Sequence, residues 1–329
     1  MSLRQPLTNS VMKRTKSSHR VYSLSACLLC LVIVLLRNRF ALREGLVYMG
    51  QMLAWNPDKV TPITVDGRFG ILYDFVAGTN GQRCYMVEQD LIKSGLSPLR
   101  IPSCDDCPPN LLVTFGQRGP YRLILAHYDK SRETPEYQGA SDNSAAVAVL
   151  LALADELAAT PPETPLALLF TSGEEKGLLG ARALLRWCDE TGFEIESVIG
   201  IDMIGRDRLA VRPLGHSGLH FWLPLAGNRV FDGQATRSAA PCRQPDPSLV
   251  RQLRQASAGE LVVYRTVAGN TDALPFAERG LPTAYCAGSN TYYANLVWEQ
   301  DTDRIELLDE DSLQQTLDTF IAYAHLTTP

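Results

Sequence analysis

The chain has 329 residues, 45% of them apolar and 20% charged, a composition that excludes intrinsic disorder. Its 31 Lys and Arg against 36 Asp and Glu give a net charge of −5, unevenly spread: residues 1–43 hold eight of the basic residues and none of the acids. The remainder is strongly acidic, which excludes the basic footprint of a nucleic-acid binder from the main body.

The basic end surrounds an apolar run. Residues 21–36 (VYSLSACLLCLVIVLL) are 16 residues without a charge, flanked by Arg20 and Arg37. A spanning helix needs roughly 17–25 apolar residues, so this run spans if the two arginines snorkel to the headgroups. A cleaved signal peptide ends in a small-x-small site, whereas RNRF follows here. The sequence therefore predicts a basic tail over 1–20, an uncleaved single-pass anchor over 21–36, a connector over 37–59 and a domain over 60–329. Five basic residues precede the run and three follow it closely, which places the N-terminus on the cytoplasmic side and the domain outside.

Beyond the run, strand-like apolar segments are expected over 111–115, 122–126, 166–171, 198–203, 261–264 and 283–286, with helices over 144–159, 178–188 and 312–326. Continuous apolar strands alternating with helices predict an α/β domain whose mixed, largely parallel central sheet is covered by helices on both faces. Cys104 and Cys107 form a C-x-x-C, but no second pair or pair of His follows at zinc-site spacing. With Asp105, Asp106, Pro108 and Pro109 around them they read as a loop thiol pair, bridged to each other or to Cys84.

The chemistry-bearing residues stand at the ends of those strands. One strand runs into His127-Tyr128-Asp129, another into Gly173-Glu174-Glu175, a third ends at Asp202, and Asp142 precedes an Ala-rich helix. Each alone has a plainer explanation: Asp142 as a helix cap, the adjacent glutamates as a solvated turn, His127 as a loop residue. Asp202 is harder to dismiss, because it interrupts an apolar strand and a buried carboxylate needs a partner. In such sheets ligands gather at the carboxyl ends of strands. One imidazole and three carboxylates then make a nitrogen/oxygen donor set suited to zinc or a similar divalent ion. Asp129 is placed to accept the other ring N–H of His127 and fix its tautomer.

The segments AHYD (126–129), GASDN (139–143), SGEEKGLLGA (172–181) and IDMIG (201–205) resemble, in order and spacing, the zinc exopeptidase family that includes secreted bacterial aminopeptidases, glutamate carboxypeptidase and animal glutaminyl cyclases. The resemblance covers about residues 60–329. It implies one or two zinc ions, or another divalent metal, held by His127, Asp142, Glu175 and Asp202, with Asp142 bridging and a cis peptide at Asn143. It also implies Asp129 as the buttress of His127 and Glu174 as general base. The reaction implied is removal of an N-terminal residue from a peptide. In a glutaminyl cyclase the same acid would carry a proton from the substrate amine to its leaving amide.

The departure from the family is at the last ligand, normally a His. The five His are His19, His127, His216, His220 and His325, none of them at that position. TDALPFAERGLPTAYC (271–286) resembles the cyclase stretch leading to it, and VWEQ (297–300) resembles its V-W-H-T, so Glu299 stands where the His is expected. Ala273 occupies a place where relatives often carry another His. Three outcomes stay open: Glu299 serves as an oxygen ligand; the site holds one metal, or a metal other than zinc; or catalysis is lost and the domain binds peptides or partners. His216 and His220 lie among Pro213, Gly215 and Gly218, which argues against a helical ligand pair. Trp222 and Trp298 are candidates for lining a substrate pocket.

Overall fold

The computed structural model describes residues 39–215 and 242–327, so the apolar run 21–36, His216, His220 and Trp222 lie outside the described residues. The first element, α1 (Arg39–Leu53), turns most of the expected connector into a helix clasped to the body. Its buried Glu44 accepts the backbone N–H groups of Arg265, Thr266 and Val267 at 2.7, 2.9 and 3.1 Å. Gln51 donates to Ser289 O at 2.9 Å and accepts from Thr291 N at 2.9 Å. No helix among the described residues is long and apolar enough to cross a membrane.

Helices α2 (Leu72–Ala77) and α3 (Asn80–Lys93) lead into β1 (Leu99–Ile101), β2 (Asn110–Phe115) and β3 (Tyr121–His127). Then follow α4 (Ala145–Ala159), β4 (Leu166–Thr171), α5 (Leu179–Thr191), β5 (Ile195–Ile201) and β6 (Leu209–Arg212). The chain closes with α6 (Pro247–Ala256), β7 (Val262–Val263), α7 (Leu274–Glu278), β8 (Thr283–Gly288), α8 (Thr291–Val297) and α9 (Glu310–Ala324). The eight strands form one sheet in the order β1-β2-β4-β3-β5-β8-β6-β7. The centre, β4-β3-β5-β8, is parallel, whereas β1 and β2 pair antiparallel on one side and β6 runs antiparallel to β8 on the other.

Side chains alternate between the two faces, so each apolar strand feeds two cores. Val113, Ile124, Leu168, Phe170 and Ile199 pack with α2, α3, α4, α6 and α9 on one face. Leu112, Leu123, Leu125, Leu169 and Val198 pack with α5 and with Phe276 of α7 on the other. The expected α/β architecture is thus the observed one. Differences lie at the periphery: β7 is two residues long, and β5 begins at Ile195 and stops before Asp202. Cys104 is bonded to Cys107, while Cys84 is buried and free, so the thiol pair is the local one.

Parallel register does the positioning. His127 pairs with Thr171, which puts it level with the end of β4 just before Ser172-Gly173-Glu174. Leu125 pairs with Gly200, so His127 and Asp202, each two residues further on, leave the sheet side by side.

Candidate metal centre

Asp142 reaches the same point by a different route. Residues Ala140–Ser144 form an irregular wide turn before α4, and Asp142 and Asn143 within it have non-helical backbone and a cis peptide between them. The N-cap of α4 is Ser144, without a side-chain cap bond. Asp142 is therefore not a helix cap: the turn aims its carboxylate across to His127, as its reading as a ligand requires. Gly139 enters this turn at φ +59°, where a Cβ would meet Asp142 O at 2.7 Å, so the approach requires glycine.

Asp303 fixes the turn. Its two carboxylate oxygens accept the backbone N–H groups of Ser141 at 2.8 Å and Asp142 at 3.0 Å. Burial pushes this carboxyl up to about 7, against those same hydrogen bonds. Beneath it the fully buried Arg83 guanidinium donates to Phe75 O, Tyr128 O, Gln138 O and Ser144 Oγ, tying the His127 loop to the Asp142 turn.

At the centre, His127 is 1% exposed. Its Nδ1 lies 3.1 Å from the backbone carbonyl of Asp129 and 3.7 Å from that residue's carboxylate. The carbonyl accepts from Nδ1–H in place of the expected side chain, and Nε2 faces the cluster. The Asp129 carboxylate acts elsewhere: its oxygens accept the backbone N–H groups of Glu174 and Glu175, each at 3.3 Å. One buried carboxylate so spans both adjacent acids. Gly173 opens their turn at φ +81°, with the Cys107 sulfur 3.0 Å from where its Cβ would be, so the disulfide loop packs against the turn.

His127 Nε2 stands 3.4 Å from Asp142 Oδ1 and 3.5 Å from Asp202 Oδ1. Nevertheless Nε2, Asp202 Oδ1 and Glu175 Oε1 are buried without a hydrogen-bond partner. Buried polar atoms are normally paired, and these, converging on one point, suit a cation as their common partner. Donor atoms of His127, Asp142 and Glu175 lie within 4.8 Å of one another and form a possible metal site. One imidazole nitrogen with carboxylate oxygens fits a borderline divalent ion such as zinc.

The electrostatics agree. Burial raises the pKa of Asp142, the nearby His127 opposes it, and Asp202 adds to the rise. Glu174 and Glu175 are each held well above the usual carboxylate range by burial first, with His127 opposing and neighbouring acids reinforcing. Burial alone would depress His127, but Glu174 and the carboxylates of Asp129, Asp142 and Asp202 hold it well above 6.5. These groups repel one another and retain protons, a strain that a bound cation relieves.

Asp272 belongs to this group and escaped the sequence reading. It is fully buried, accepts from the Thr171 hydroxyl, and leaves Oδ1 without a partner; burial pushes it up to about 7. Its signal was present in the quoted stretch 271–286: an acid directly before an apolar helix. Neighbouring Ala273 is fully buried and tight against Gly200. Glu299 differs from the rest. It is exposed, sits at φ +52° just after α8, and, like the buried Asp202, lies outside the three-residue group, although its charge contributes to the raised pKa of Asp142. Its backbone carbonyl accepts from Arg132 at 2.9 Å. Trp298 is half-buried beside it.

A largely parallel sheet with a buried histidine–carboxylate cluster at its strand ends defines an α/β protein built around a metal-type centre. The chain belongs to peptidase family M28, whose model matches residues 110–324 and so includes every member of the cluster. A probable zinc metalloprotease of Pyrenophora tritici-repentis is 34% identical over 93 residues, an alignment spanning 27% of this chain and only 21% of that protein. The LapA aminopeptidase of Legionella pneumophila superposes with a TM-score of 0.60 at 17% identity, over 80% of this chain and 69% of that one. A glutaminyl cyclase of Porphyromonas gingivalis superposes with a TM-score of 0.59 at 18% identity, over 79% and 97%. Both share the fold.

Proposed function

We propose that the chain is a zinc-dependent aminopeptidase on a membrane-anchored, exported domain, with His127, Asp142, Glu175 and Asp202 holding the metal. The observation that carries this reading is the set of orphaned atoms, His127 Nε2, Glu175 Oε1 and Asp202 Oδ1, facing one another beside Glu174. A zinc ion, when bound, supplies Lewis acidity that polarises the scissile carbonyl and makes water easier to deprotonate. Glu174 takes the proton from the attacking water and returns it to the leaving amine, and its raised affinity for protons suits both steps. Asp129 holds Glu174 and Glu175 in their different directions through their backbone amides. Asp303 holds Asp142 in the same manner. Glu299, at the rim, completes the oxygen donors in this reading, supported by its electrostatic reach to Asp142. The apolar run 21–36 anchors the chain, with the N-terminus cytoplasmic and peptides as extracytoplasmic substrates.

The full chain, purified in detergent and loaded with zinc, is offered aminoacyl-amides, peptides of varied N-terminus and peptides beginning with Gln. Release of N-terminal residues supports the aminopeptidase. Ammonia released only from N-terminal Gln would assign glutaminyl cyclisation instead. Neither metal retention nor turnover with zinc, cobalt or manganese would leave a peptide-binding ectodomain.

A further inference from the structure

Helix α1 has two faces, and among the described residues only one is used. Ala41, Glu44, Tyr48 and Gln51 turn toward the body, where Glu44 and Gln51 make the clasps described above. Leu42, Leu46, Met49 and Leu53 follow at helical spacing along the opposite side, which puts them within one narrow stripe. All four are exposed, Leu46 at 70% and Leu53 at 80%. Water-facing leucines singly are ordinary, but a continuous stripe of them on a helix that is otherwise firmly docked marks a contact surface.

Chain geometry identifies the occupant. Arg39, the first residue of α1, follows Leu36, the last of the apolar run, by three residues. Three extended residues reach at most about 10–11 Å. The headgroup layer on each side of the hydrocarbon core is about 5–7 Å thick, so α1 has to start within or just above it. Arg37, Arg39 and Arg43 lie at this end, with no acid before Glu44. Cationic residues beside an apolar stripe are the pattern of helices lying in the lipid interface, their apolar face sunk about 5–10 Å among headgroups and upper acyl chains.

We propose that the outward face of α1 rests on the bilayer surface, with Leu42, Leu46, Met49 and Leu53 in the interface and Arg39 and Arg43 at lipid phosphates. This rests on the reading of 21–36 as an anchor. Because Glu44 and Gln51 lock α1 to the loop 265–267 and to α8, the contact fixes the orientation of the whole domain, whereas a flexible tether would let it tumble.

The test uses the full chain in vesicles of phosphatidylethanolamine and phosphatidylglycerol. Cys27, Cys30 and Cys242 are replaced by Ser, and a nitroxide is attached at Leu46→Cys, at Leu53→Cys, or at Tyr85→Cys on α3, which is 63% exposed. Flotation first reports anchoring. Collision with oxygen against a water-soluble nickel chelate then reports depth. The expected result is a several-fold preference for oxygen at 46 and 53 relative to 85, abolished at 53 by Leu46→Asp, a surface change that leaves flotation intact. A chain that floats but shows the same accessibility at all three positions overturns the contact alone. A chain that does not float overturns the anchor and the contact together. Strong spin–spin coupling between labels at 46 of two molecules, in place of lipid exposure, assigns the stripe to a second copy and also overturns the proposal. Turnover plays no part in the readout, so the catalytic reading stands or falls separately.

Discussion

Asp129 offers the sharpest test of how the centre is held together. Both of its carboxylate oxygens are committed, one to the amide of Glu174 and one to that of Glu175, and the residue is 3% exposed. Asp129→Asn preserves the shape but turns one oxygen into a donor facing a donor. One charge-assisted hydrogen bond is lost, worth about 1.5–3 kcal/mol, and the half-buried N–H left unpaired costs about 1–3 kcal/mol more, at the low end of that range. Bonds of 3.3 Å are long, so the low end applies, about 2.5 kcal/mol in all. For a domain of this size that lowers the melting temperature by roughly 5–10 °C. The displaced turn also carries Glu174 and Glu175, and a shift of about 1 Å in such groups costs about 10²-fold in turnover. Thermal unfolding and peptidase assays on the zinc-loaded protein check both. A variant melting within about 1 °C of the parent, with turnover within about twofold, would show that Asp129 does not support the two acids.

Four further outcomes are expected. Glu174→Gln lowers turnover by about 10²–10⁴-fold while metal content stays at the parent level; a fully active variant places the base elsewhere. Glu299→Ala weakens zinc retention by about tenfold or more in competition with a chelator, and unchanged retention removes it from the donor set. Stripping the metal with EDTA lowers the melting temperature, and zinc restores it. In the stripped protein His127, Asp142, Glu174, Glu175 and Asp272 all have folded pKa values above their ordinary ones, Asp272 at about 7. Their stabilisation is present below the unfolded values and lost as pH rises through the folded ones. Melting temperatures of the stripped protein should therefore fall between about pH 5 and pH 7.5, and a rise over that window contradicts the assignment.

What could be read from the sequence follows from burial. Strands β3, β4 and β5 carry continuous apolar runs at 123–126, 166–170 and 198–201 that give way abruptly to His127, Gly173-Glu174 and Asp202, so both the sheet and the convergence of its ends were legible. Asp142 alone is ambiguous, because an acid ahead of an Ala-rich stretch looks the same whether it caps the helix or turns away from it; only its company with His127, Glu175 and Asp202 marked it as a ligand. Asp272 and Asp303 were hidden for a related reason: acids beside helix starts and turns are usually solvated, and only tertiary packing buries these two. Helix α1 resisted reading because Gly45 and Gly50 weaken its local preference and it puts Glu44 inward and leucines outward. The partner that makes this arrangement work, the loop 265–267, is more than 200 residues away.

Strand order also bears on how the molecule assembles. β8, the last strand to be made among those described, is interior: it sits between β5 and β6 and is the bridge through which β6 and β7 join the sheet. During synthesis, β1 to β5 can settle early, since each finds at least one sheet partner within the first two-thirds of the chain and only β5 still lacks its second, β8. The β6–β7 flank has to wait as a detached piece until residues 283–288 emerge. A ribosome stalled before that point, or a chain truncated there, presents two raw sheet edges at once, at β5 and at β6, and is a natural target for chaperones and proteases.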